Sequence, residues 1–355
     1  MKASWSRYEL IFKRPARTSR GEMKAKPSYF LRLEQDDQVA WGECGLLPGL
    51  SRDDRPNYEQ KLDWVCALIR SGGDAEDILM TLSDWPSIRF GVEMAFGSLG
   101  LIDVGNWAQS PFEQAEAGIP INGLIWMGSH AFQREQFTAL ITAGFGCIKF
   151  KIGKDYWEGG RDLLIEARRL QPDLEIRTDA NGAFSPSEAM DVLEDLDRIG
   201  VHSIEQPVAV GQSEHLADLC RNSPVPIALD EELIFCAQGM EDELLQRIRP
   251  SYIILKPSLL GGWKVCADWI RRAEEQNIGY WTTSALESQL GLQWIARFAA
   301  VHPVPMAQGL GTGSLYRNNL NSDLHIRDQK LWRSATKAFV AMDQVQASTD
   351  QSNPW

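Results

Sequence analysis

A chain of 355 residues is too long for one small core and fits either a barrel of roughly 200 to 250 residues with added elements or two ordinary domains. Hydrophobic residues make up 44% and charged residues 24%, both near globular averages, so disordered and fibrous classes drop out. The formal net charge of -12 argues against nucleic acid as a partner, because binding phosphates needs a basic face; an anionic substrate would need a metal or a local basic pocket.

In chain order, SWSRYELIF and SYFLRLEQ read as alternating strands on either side of a basic stretch, PARTSRGEMKAKP. QVAWGECGLLPGLSRDD follows, and then YEQKLDWVCALIRSG and RFGVEMAFGSLGLIDVG show helical spacing. Residues 1–115 are therefore expected to form an α+β domain without internal repeats. The leading residues carry charges throughout and no apolar core like that of a secretion signal, and no stretch approaches the ~20 apolar residues of a membrane span. The six cysteines, at 44, 66, 147, 220, 236 and 266, form no CxxC pair, which suits reduced thiols in a cytoplasmic protein with no membrane partner.

From about residue 120 the texture changes to short apolar runs separated by helix-period segments, the pattern of parallel βα units. The runs are PINGLI, CIKFKI, LEIRTDA, VHSIEQP, PIALDEE, SYIILKP, GYWTTSALES and PMAQGLG. Between them lie candidate helices such as GRDLLIEARRLQ, PSEAMDVLEDLDRIG, EHLADLCRN, WKVCADWIRRAEEQN and GLQWIARFAAVH. Lys151 to Asp179 is 28 residues, Glu205 lies 26 further on, Asp230 another 25 and Lys256 another 26. Eight runs at so even a period predict a (β/α)8-type barrel, with functional side chains at the C-terminal ends of its strands.

Closing such a barrel brings Asp179, Glu205 and Asp230 onto three successive strand ends at one mouth. Three carboxylates that close do not all stay ionised without a cation, and an all-oxygen donor set selects a hard ion, Mg²⁺ or alternatively Mn²⁺. Lys151 and Lys256 bracket the trio, and near a divalent ion a lysine pKa falls toward about 7 to 8, where it serves as a general base. Lys149 shares the Lys151 face one pleat deeper, where it would depress the Lys151 pKa or hold a carboxylate. A metal, a base and an opposed cation suit removal of a proton α to a carboxylate, since the resulting enediolate carries two negative charges. This Lys and Mg²⁺ pairing is a known general solution to that chemistry.

The motifs KFK at 149–151, TDAN at 178–181, IEQP at 204–207, LDE at 229–231 and LKPS at 255–258 resemble the enolase superfamily, muconate-lactonizing subgroup. WGECGLLPGLS at 41–51 and TSALESQLGLQ at 283–293 are similar to its o-succinylbenzoate synthase family in particular. The resemblance implies a modified (β/α)7β barrel over residues 116–319, and an N-terminal capping domain joined by the C-terminal tail, 320–355. It implies dehydration of 2-succinyl-6-hydroxy-2,4-cyclohexadiene-1-carboxylate, a small dicarboxylate, to 2-succinylbenzoate in menaquinone biosynthesis. Lys151 would act as base and then acid, and Lys256 would stabilise the enediolate. Where relatives often carry Ser after the LDE pair this chain has Glu232, which leaves Asp230 in place. Lys149, Asn181, Ser284, Glu287, Ser288, Arg17 and Arg20 are the candidates for substrate contact, and Asn122 either faces the mouth or caps a turn. Arg14, Arg17, Arg20, Lys24 and Lys26 make the basic stretch a candidate lid. An N-acylamino acid racemase or dipeptide epimerase would keep the same two lysines. A catalytically silent barrel would lack at least one of these residues, and all are present.

Overall fold

The computed structural model describes residues 1–18, 21–334, 342 and 345, with Arg17 and Thr18 described by backbone alone. β1 (Lys2–Thr18), β2 (Gly21–Gln35) and β3 (Gln38–Cys44) form an antiparallel sheet in that order. The basic stretch expected as a connection is instead strand: β1 and β2 pair up to Thr18 and Gly21, with a register shift between Ile11 and Ala16. Pro15 lies inside that irregularity, where its missing N–H breaks no ladder bond. Helices α1 (Tyr58–Arg70), α2 (Ala75–Met80) and α3 (Pro86–Ser98) follow the sheet. α3 packs directly on β3 because Gly42 and Gly91 face one another, and a Cβ at Gly42 would stand 1.8 Å from the Gly91 carbonyl oxygen.

After β4 (Ile119–Pro120), seven parallel strands stand in sequence order: β5 (Gly123–Ile125), β6 (Cys147–Lys151), β7 (Glu175–Asp179), β8 (Ser203–Glu205), β9 (Ile227–Leu229), β10 (Tyr252–Leu255) and β11 (Gly279–Thr282). The eighth apolar run closes the ring without forming a regular strand. Asn122 N–H donates to the Gln308 carbonyl at 3.0 Å on one side, and Gly309 N–H to the Thr282 carbonyl at 2.8 Å on the other. The intervening helices are α4 (His130–Thr142), α5 (Trp157–Leu170), α6 (Pro186–Ile199), α7 (Ser213–Asn222), α8 (Glu231–Ile234), α9 (Glu241–Ile248), α10 (Pro257–Leu260), α11 (Trp263–Glu275) and α12 (Gln289–Val301). α6 shows why these segments are helical: a Ser185–Glu188 capping box and Pro186 start it, and Gly200 at φ 77° ends it. No helix among the described residues is long and apolar enough to cross a membrane.

β12 (Leu324–Arg327) and β13 (Lys330–Arg333) form a hairpin that pairs with β4, so the described part of the tail does not add to the capping sheet. The tail does touch residues 1–115, since Arg333 of β13 pairs with Glu113, and the preceding segment adds contact with the capping sheet: Tyr8 donates to the Asn318 carbonyl and Ile11 N–H to Asn318 Oδ1, each at 2.8 Å. The rest of the tail, beyond residue 334 apart from 342 and 345, lies outside the described residues.

Candidate active site

All five residues of β6 are buried, and the strand is paired on both sides, so its lysines do not guard a sheet edge. Parallel register sets Lys151 beside Asp179 and Asp179 beside Glu205. Lys151 Nζ lies 2.9 Å from Asp179 Oδ2 and donates to Asn181 Oδ1 at 2.7 Å. Lys149 Nζ reaches Glu205 Oε2 at 3.0 Å and Asp179 Oδ2 at 3.4 Å, so this lysine binds the acids themselves. Lys256 pairs with Asp230 Oδ2 and stands 3.6 Å from Glu205 Oε1.

Local backbone turns make this possible. β9 and β10 each stop in a one-turn helix, α8 after Asp230 and α10 after Lys256, which sequence periodicity is too short-ranged to reveal. Asn181 (φ 44°) and Gln206 (φ 42°) hold left-handed conformations just past β7 and β8, a sparsely populated region for side chains other than Gly, Asn and Asp. Gln206 was not among the candidate residues. It is fully buried, and its Oε1 accepts the N–H groups of Asp230 and Glu232 at 3.3 Å, tying the end of β8 to that of β9. Glu232 turns to Gly211 N–H, leaving Asp230 undisturbed.

The electrostatics follow from six charges sharing little water. Burial works to raise Asp179, but Lys151, Lys149 and Lys256 outweigh it and hold its carboxyl below the usual range. Glu205 is pushed up to about 7 by burial and then by the Asp179 charge, against the pull of Lys149 and Lys256. Burial also raises Asp230 in spite of Lys256. For Lys256 and Lys149 burial opposes the charged form, yet the neighbouring carboxylates prevail and raise both. For Lys256 a lowered pKa was expected beside a divalent ion; with the protein's own groups alone it moves the other way.

Among the described residues no group of three His, Cys, Asp or Glu side chains converges closely enough to hold an ion as it stands, because each carboxylate is turned onto a lysine. Of these three carboxylates, two nevertheless have a buried oxygen with no hydrogen-bond partner, Glu205 Oε1 and Asp230 Oδ1, at the ends of adjacent strands. Orphaned acidic oxygens at that depth are costly unless a cation serves them. The residues fit a hard divalent ion.

Above the charges lies a cavity of about 650 Å³ whose walls include Lys149, Lys151, Asp179, Asn181, Lys256 and Ser284. Its outer wall comes from the β1–β2 hairpin and the 47–50 loop and is mostly apolar, with Phe12, Leu47 and Leu50 among its residues beside the charged Lys13, Arg14 and Glu22. Arg14 lines it and reaches Glu135 of α4 at 3.3 Å, while Lys24 is exposed beyond it. Lys26 is not a lid cation: it is wholly buried on β2. Glu287 and Ser288 also depart from expectation, standing behind the wall with their side-chain oxygens hydrogen-bonded to Ser258, Ser284 and Glu43. The Arg17 side chain and Arg20 lie outside the described residues. Asn122 faces the cavity and donates to the Gly123 carbonyl.

A family model described as enolase C-terminal domain-like matches residues 133–335. An o-succinylbenzoate synthase from Desulfotalea psychrophila is 44% identical over 92% of this chain and 97% of its own length. The crystal structure of MenC from the same organism superposes with a TM-score of 0.81 at 41% identity, covering 94% of this chain and 99% of that one. A dipeptide epimerase from Enterococcus faecalis, complexed with Mg and a dipeptide, shares the fold at 16% identity and a TM-score of 0.80, covering 96% and 97%. Together with the paired lysines facing one another across a buried acidic floor, these likenesses establish that the chain belongs to the enolase superfamily, on its o-succinylbenzoate synthase branch.

Proposed function

We propose that Lys151 is the base and Lys256 the fixed cation in dehydration of 2-succinyl-6-hydroxy-2,4-cyclohexadiene-1-carboxylate to 2-succinylbenzoate. The observation that carries this assignment is the unequal setting of two lysines opposed across one cavity, β6 and β10 being four positions apart in a ring of eight: Lys256 lies against two carboxylates, and Lys151 against one carboxylate and the Asn181 amide. Lys151 takes the α-proton, and the electron pair moves onto the carboxylate oxygens as an enediolate. The pair then returns, the ring C–O bond breaks, and Lys151 gives its proton to the departing hydroxyl, so water leaves and the ring becomes aromatic. Lys256 stays protonated throughout, held by Asp230 and Glu205. Lys149 fixes Glu205 and Asp179, and Asn181 orients the Lys151 amine.

Asp179, Glu205 and Asp230 would hold Mg²⁺, or Mn²⁺, which supplies positive charge to the substrate carboxylate. The mostly apolar outer wall suits the ring and methylenes of a small dicarboxylate, and Arg14 with Arg17 and Arg20 would serve its outer charge. All six cysteines are free and four are buried, in keeping with the cytoplasm. Turnover of the cyclohexadiene substrate, followed as formation of the aromatic product with and without Mg²⁺, tests the assignment; a protein inactive with Mg²⁺ would sink it.

A further inference from the structure

A buried polar chain runs from the capping sheet to the cavity wall, and the reaction above does not use it. Lys26, Glu43 and Glu287 are each wholly buried. Lys26 Nζ donates to Ser28 Oγ at 3.4 Å, and Ser28 Oγ to Glu43 Oε1 at 2.5 Å. Glu43 also accepts the backbone N–H of Ser288 and of Gly291, both at 2.9 Å, and Ser288 Oγ at 2.5 Å. Glu287 faces the cavity side: it accepts from Ser258 Oγ, from Ser284 Oγ at 2.6 Å and from Ala285 N–H at 2.8 Å. Thr312 Oγ1 donates to Ser284 Oγ at 2.8 Å, and Ser284, Ala285 and Thr312 all line the cavity. Ser258 is two residues beyond Lys256.

The acids have no room to move away. A Cβ at Gly291 would lie 2.7 Å from Glu287 Cβ, and one at Gly45 would lie 3.1 Å from Glu287 Cγ. Burial disfavours the Lys26 charge, and the Glu43 and Glu287 charges favour it. Well-packed apolar residues would join two domains at least as stably as a buried ionic cluster, so such a cluster has its best-attested use in fixing one arrangement.

We propose that Lys26, Glu43 and Glu287 form a positioning brace, in which the charge brought by the capping hairpin fixes the 284–286 wall of the cavity against the strand end that bears Lys256. None of the three touches substrate. The brace therefore sets how well the cavity closes on substrate rather than the proton transfer itself, and it explains why Glu287 and Ser288 sit in a site-like motif yet outside the cavity.

The brace rests on the dehydration reading, which wild-type turnover tests separately. Lys26→Met, Glu287→Gln and the double variant are compared in the full chain, each first checked for folding by circular dichroism. Lys26→Met leaves two buried acids without a counter-charge and raises KM about tenfold with kcat within about threefold. Glu287→Gln removes one charge, keeps an acceptor, and raises KM no more than about threefold. The double variant returns KM to within about threefold of Glu287→Gln, because the surplus charge is gone. Wild-type KM in Lys26→Met, a fall in kcat as large as the rise in KM, or a double variant as impaired as Lys26→Met overturns the proposal. If Lys26→Met does not fold, a folded double variant supports the brace and an unfolded one overturns it.

Discussion

Separate replacement of the two lysines by alanine distinguishes their roles. Lys256 is buried and clamped between Asp230 and Glu205, so its charge is already in place before the enediolate forms. Loss of one such preorganised charge costs about 3 to 4 kcal/mol, or roughly 10²- to 10³-fold in kcat. Removing it also leaves Asp230 without its buried partner, while Glu205 keeps Lys149, and the lost pair destabilises the metal-free protein by about 3 to 5 kcal/mol. Lys151→Ala instead loses the base, and exchange at the α-carbon vanishes with every analogue. The assay is deuterium incorporation from D₂O, read by NMR, for both variants with each enantiomer of an N-succinylamino acid. With one base, Lys256→Ala exchanges slowly but measurably with the configuration that places its α-hydrogen toward Lys151, and Lys151→Ala exchanges with neither. If each variant retains exchange with the opposite enantiomer, both lysines are bases and the one-base assignment is wrong.

Chelation is expected to abolish turnover, with Mg²⁺ or Mn²⁺ restoring it; Asp179→Asn and Glu205→Gln should weaken the thermal stabilisation that saturating Mg²⁺ gives, about 2.7 kcal/mol at a hundredfold excess over Kd, and an unchanged shift would remove these residues from the ligand set. Arg14→Gln should raise KM for a dianionic substrate severalfold at low salt and less at high salt, because Arg14 is exposed at the cavity rim; salt-independent KM values would make it a surface residue. In the capping domain, burial pushes Asp53 up to about 6 against the Ser87 hydrogen bonds that lower it. Its contribution to stability is therefore full below about pH 3.9 and is lost as pH rises through about 6, so relative to Asp53→Asn the wild type should lose about 3 kcal/mol over that window in urea melts. A difference independent of pH would contradict the shift.

The barrel was legible because its signal is local. Each strand end sits within a short apolar run, and the repeat near 26 residues carries Lys151, Asp179, Glu205, Asp230 and Lys256 into register without knowledge of any distant contact. The brace was illegible for the opposite reason. Lys26 lies in a stretch that is basic on average, and only pairing with Leu10 in β1 turns it to the same buried face as Ser28 and Phe30. Its acidic neighbours come from 17 and 261 residues further along the chain, and no periodicity links such positions. Composition suggested a lid where pleating decided the matter. The hidden turns at Asn181 and Gln206 belong to the same class, since left-handed backbone at a non-glycine residue is imposed by surrounding packing.

Epimerases share this fold, so the facing lysines alone do not choose between one-base elimination and two-base epimerisation. Two-base chemistry needs both amines to alternate between charged and neutral forms. The surroundings of the two differ in a way that bears on this. Lys256 has two carboxylates within 3.6 Å, and shedding its proton would leave both buried acids facing a neutral amine. Lys151 has one carboxylate at 2.9 Å, and its other near partner is the neutral amide oxygen of Asn181, which accepts a hydrogen bond from the ammonium or the neutral amine alike. In this arrangement Lys256 is set to keep its proton, and the proposed one-base assignment leaves the exchange to Lys151. That asymmetry supports the proposed reaction, in which the proton leaves and returns on one face, as elimination to an aromatic ring requires.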